Sequence, residues 1–91
     1  MSQPDNEVDA AFTHEKLLEA VENQLAEGSP AAAQATLNKL TLVGYERADS
    51  LDLMAQVLAW HINEMLEQDA PFDLAAYEQS LRNLPELLGK E

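Results

Sequence analysis

The stretch Leu51 to Leu66, LDLMAQVLAWHINEML, constrains this chain more than any other. Placed on a helix at about 100° per residue, Leu51, Met54, Ala55, Leu58, Ile62, Met65 and Leu66 fall on one broad face. Leu53, Val57 and Trp60 lie on nearly the opposite side. A helix apolar on one stripe can rest on a surface, but one apolar on two sides needs neighbours on both, from its own chain or from another. This segment is therefore expected to be the central element of the fold.

Local signals place three more helices around it. Thr13 is a favoured N-cap, with Phe12 and Leu17 positioned as a hydrophobic staple and Glu15 where the helix dipole favours an anion. Leu17, Leu18, Val21 and Leu25 then form a buried stripe, Glu19, Glu22 and Glu27 face water, and Gly28 ends the helix. Ser29 as cap and Pro30 at the first helical position start a second helix over 30–43. Its early alanines, Ala31, Ala32, Ala33 and Ala35, permit close helix approach, and Leu37, Leu40 and Val43 follow. Gly44 supplies a left-handed residue, with Tyr45 folding back on Leu40 as in a Schellman stop.

The long helix starts near Glu46 or Arg47 without a strong cap and runs to about Gln68, roughly 22 residues. Asp69-Ala70-Pro71 closes it, because proline disfavours helical backbone in the residue before it. Phe72, Asp73 as N-cap and Tyr77 make a second staple, after which Leu74, Tyr77, Leu81 and Leu84 share a face. Pro85 breaks or restarts the helix, and Leu87 and Leu88 are expected to add a short turn. No segment alternates with period two, so no sheet is expected. The reading is all-α: a compact array of four helices with a long central third helix, over 10–91, preceded by a flexible polar tail at 1–9. Short connections favour antiparallel packing of sequential helices.

Charge excludes more than it assigns. Seventeen acidic against five basic side chains give a formal charge of -12, whereas affinity for nucleic acid rests on Lys and Arg displacing counterions. Direct nucleic-acid binding and anionic membrane surfaces are both disfavoured. An acidic surface serves solubility; a sharper reading is an acidic nucleic-acid mimic that binds a basic protein. Without cysteine there is no disulfide, thiolate nucleophile or zinc-thiolate site. Neither a signal-peptide pattern nor an apolar run of about 18 residues is present, so the expected location is cytoplasmic.

The run from His14 to Leu88 resembles a family of small all-helical bacterial domains of unassigned function. The likeness is carried by VENQL at Val21 to Leu25 with Gly28-Ser29-Pro30, by Gly44-Tyr45-Glu46-Arg47, and by Pro71-Phe72-Asp73 followed by Tyr77 and Leu81. It implies a helical fold and an uncharacterised role in the bacterial cytoplasm. Where the family's pattern has a histidine early in the long helix this chain has Asp52, so the resemblance carries over no catalytic residue.

The residues themselves offer little chemistry. His14 and His61 are the only histidines, and a metal site would have to combine them with carboxylates such as Glu15, Asp52 or Glu64. His14 is expected near the buried side of the first helix and His61 on the edge of the main stripe of the third. Carboxylates are so abundant that a pair such as Glu64 and Glu67 reads as a solvated helix face. Ser29, Ser50 and Ser80 have no evident histidine-acid partners, and no phosphate-cradling loop is visible. No catalytic residue, metal or cofactor is assigned. The candidate interface is Leu53, Val57 and Trp60: either neighbouring helices cover it, or it is the centre of a homodimer or partner interface. The expected function is a non-catalytic protein–protein interaction module. The alternative is a small enzyme or metal-binding protein using His14 or His61 with nearby carboxylates.

Overall fold

A computed structural model describes residues 13–86. The polar tail, Phe12 of the first staple, and Leu87 and Leu88 lie outside them. Among the described residues there are four helices and no strand: α1 His14–Glu27, α2 Ala31–Leu42, α3 Arg47–Gln68 and α4 Leu74–Asn83. The all-α array with a long third helix is thus the architecture of the chain.

Capping chemistry sets most of the boundaries. The Thr13 hydroxyl accepts from the Lys16 amide at 3.3 Å, and Asp73 Oδ1 accepts from the Ala76 amide at 3.1 Å. Two helices stop at a left-handed glycine, Gly28 at φ 70° and Gly44 at φ 106°. In both, the amide beyond the glycine reaches back five residues, Ser29 to the Gln24 carbonyl and Tyr45 to the Leu40 carbonyl, which completes the Schellman pattern. α3 ends the same way without glycine: Asp69 adopts φ 52°, and the Ala70 amide donates to the Met65 carbonyl at 3.2 Å. Pro71 follows the stop and does not create it. The start of α2 also differs from expectation. Pro30 occupies the N-cap position and no side chain caps the helix, so Ser29 plays no capping role. A proline with extended ψ contributes only its carbonyl there, and the helix begins one residue later than its sequence pattern suggests.

α3 packs against α1, α2 and α4, and α2 also contacts α1 and α4. Two polar contacts fix the α1–α3 register: His14 Nε2 lies 2.7 Å from Asp52 Oδ1, and Arg47 grips Glu22 with two bonds of 2.9 Å. Numbering rises along α1 as it falls along α3 across these pairs, so the two helices run antiparallel. Lys39 of α2 donates to the Arg82 carbonyl, satisfying an otherwise open acceptor near the end of α4.

All four helices contribute to one core: Leu17 and Val21, then Ala32, Ala33 and Leu40, then Leu51, Met54, Ala55, Val57 and Leu58, then Tyr77 and Leu81, closed by Leu84. Leu66 and Leu74, placed on buried stripes by their spacing, are 55% and 50% exposed. They sit at the end of α3 and the start of α4, where periodicity continues but the covering neighbour does not. His14 is likewise exposed, against expectation, because it turns to Asp52 at the rim of the α1–α3 contact.

Candidate functional site

The last turns of α3, the connection to α4 and the first turn of α4 enclose a cleft of about 220 Å³. Trp60 forms one wall, Met65, Pro71 and Ala76 supply apolar surface, and Glu64 and Asp73 bring two carboxylates. Each element arrives there for a local reason. The left-handed Asp69 turns the chain out of α3, the Asp73 cap starts α4, and the Phe72–Tyr77 staple, with ring centroids 5.5 Å apart, fixes the angle between them.

His61 also lines the cleft and belongs to a packed aromatic group. His61, 7% exposed, makes edge-to-face contacts with Trp60 at 5.2 Å, Tyr77 at 5.9 Å and Phe72 at 6.3 Å. Its Nε2 is 2.9 Å from Ser80 Oγ, a buried hydrogen bond joining α3 to α4. Burial lowers the pKa of His61 below its ordinary 6.5, against the opposing pull of Asp73 and Glu64. Tyr77, almost fully buried, donates its hydroxyl to Gln24 Oε1 at 2.8 Å, and burial pushes that phenol up to about 12.

Among the described residues neither cleft carboxylate has a cationic partner. Glu64 Oε1 accepts from Gln68 Nε2 at 2.7 Å and Asp73 Oδ1 serves the helix cap. The ion pairs of the described residues, Lys16–Glu19 and Arg47–Glu22, and the His14–Asp52 contact all lie elsewhere.

The three candidate interface residues do not form one surface. Val57 is 1% exposed and belongs to the core, Leu53 is half-buried against it, and Trp60 is 41% exposed at the cleft. α3 has three neighbours, so the second stripe is partly used internally: Val57 is covered, Leu53 is covered in part, and Trp60 is the most open of the three. The two histidines are also kept apart, one on the α1–α3 rim and one in the lining of the cleft. Among the described residues no group of three or more His, Asp or Glu converges to hold a metal ion.

The Ser80–His61 bond was not apparent from the chain, since its partners stand 19 residues apart on different helices. A signal did exist: Ser80 lies three residues after Tyr77 and one before Leu81, on the buried side of α4. Chemically the pair is a clasp. Ser80 is buried, and no carboxylate hydrogen-bonds the other ring nitrogen among the described residues, so the third member of a nucleophilic triad is missing.

A second depression, broader and more open at about 870 Å³, lies at the α2–α3 turn between Leu37, Leu42, Tyr45 and Arg47. Leu42 and Val43 stand 86% and 60% exposed beside it. Compared with protein-family models, curated proteins and solved structures, the chain matches none of them.

Proposed function

We propose that this chain is a non-catalytic interaction module that receives a segment of another protein in the α3–α4 cleft. The observation that supports this reading is Trp60, the chain's only tryptophan, 41% exposed with its ring edge-to-face on His61, which in turn packs on Phe72 and Tyr77. A large aromatic side chain with few rotatable bonds loses little freedom on binding, which is one reason such residues dominate interface energies. The apolar cleft wall and the carboxylates at its rim add shape and charge selectivity. A cytoplasmic setting belongs to the same proposal and is supported by the lack of cysteine.

Selection of a displayed peptide library on the folded protein, run in parallel on Trp60→Ala, tests the reading. A shared motif enriched on the parent and lost on the variant, with helicity retained by circular dichroism, supports it. No enrichment, or the same motif on both proteins, refutes it. Light scattering across a concentration range completes the experiment: a dimer dissolved by Trp60→Ala would make a second copy of this chain the occupant.

A further inference from the structure

The cleft's composition narrows what it can receive. At about 220 Å³ it falls below the roughly 300–1,000 Å³ of sites that enclose drug-sized molecules, and it is matched instead to one long side chain. Two carboxylates that have no cationic partner among the described residues border it, and the His61 imidazole in its lining is hydrogen-bonded to Ser80. Its indole wall is half exposed. We infer that the cleft is a receptor for a single arginine side chain, presented by a partner segment and held between Glu64 and Asp73 against Trp60.

This deepens the interaction reading above and rests on it. A guanidinium is planar, weakly hydrated and always charged, so it can satisfy two carboxylates while its face lies on an aromatic ring. Its aliphatic stem needs an apolar lining, which Met65, Pro71 and Ala76 provide. Gln68 holds one oxygen of Glu64, and the Ala76 amide holds one of Asp73. Both acids are thereby oriented before a ligand arrives, and each keeps its second oxygen for the incoming group.

The test uses two neutral-ended tripeptides, N-acetyl-Leu-Arg-Leu-amide and its citrulline analogue, which keeps the shape of the side chain and lacks its charge. Trp60 emission reports occupancy directly because no other tryptophan is present. The arginine peptide should bind about tenfold tighter than the citrulline peptide, the sum of partly desolvated ion pairs and a cation–aromatic contact. That preference should fall to within about twofold in the double variant Glu64→Gln/Asp73→Asn. Asparagine caps a helix about as well as aspartate, so α4 keeps its start. The control Glu19→Gln/Glu27→Gln removes the same charge from exposed positions of α1 and should leave the preference intact. A preference that survives in the cleft variant, or that falls equally in the control, overturns the arginine receptor; the module then stands or falls on the library selection alone. No change in Trp60 emission with either peptide overturns it as well.

Discussion

Tyr77 offers the sharpest check on the packing beneath the cleft. Its phenol is nearly solvent-free and its pKa is pushed from 10.0 up to about 12. Between those values the unfolded chain gives up the phenolic proton while the folded protein keeps it. The folded state therefore binds more protons over that window, and stability must fall as pH rises. Two pH units correspond to about 3 kcal/mol, a large part of the roughly 5–14 kcal/mol expected for a chain of this length. Tyr77→Phe removes the titrating group together with the hydrogen bond to Gln24 Oε1. Because Gln24 is half-buried and can turn to water, the variant should lose only about 1 kcal/mol at neutral pH, or about 4–8 °C in Tm. Its stability should then lose most of the alkaline slope. Urea unfolding of parent and variant from neutral to strongly alkaline pH measures both effects. Phenolate absorbance in Tyr45→Phe, where Tyr77 is the only phenol left, follows the ionisation itself. A Tyr77 phenolate forming with a midpoint near 10 while the helices remain intact would refute the burial on which this rests.

Three further outcomes follow from the same structure. His61 is held neutral by burial, so stability should decline as pH falls below 6.5 and level off below the lowered folded value; urea midpoints should show this decline weakened in His61→Gln. Asp69→Gly relieves a left-handed aspartate and should gain about 0.5 kcal/mol after the greater entropy of the unfolded glycine is subtracted, with a lower thermal midpoint counting against the assigned stop. The buried hydroxyls of Thr36 and Ser50 have no hydrogen-bond partner among the described residues, so Ser50→Ala should be neutral or stabilising by up to about 2 kcal/mol; a loss above about 1 kcal/mol in chemical denaturation would mean that the Ser50 hydroxyl is bonded after all.

Helix boundaries were legible in the sequence where a local interaction sets them. Thr13, Asp73, Gly28 and Gly44 act within one turn of their own helices, and the Phe72–Tyr77 staple spans five residues. What spacing could not supply was the angular position and reach of each neighbour. The pattern that grouped Leu53, Val57 and Trp60 was sound as helical geometry, yet the packed helices cover Val57 and leave Trp60 open. Leu66 and Leu74 fail for the same reason at the corner where α3 gives way to α4. The histidines show the limit more plainly. His14 finds Asp52 across an interface and His61 finds Ser80, and neither pairing has a sequence spacing that a single helix could reveal. The cleft combines Trp60 and Glu64 with Asp73 on the far side of a turn, so it exists only once the Asp69 stop has set the direction of the chain.

The buried alanines of α2 have a consequence for how this protein can change over time. Ala32 and Ala33 are both completely enclosed, so at these positions the helix backbone itself is the packing surface. A larger residue there must force the neighbouring helices apart, at about 1–3 kcal/mol, and glycine forfeits about 1 kcal/mol of helix propensity. Every single substitution at the two sites therefore runs uphill. Drift is channelled instead to the outward positions of the four helices, where chains descended from this one could diverge widely in surface while keeping the same close approach at α2.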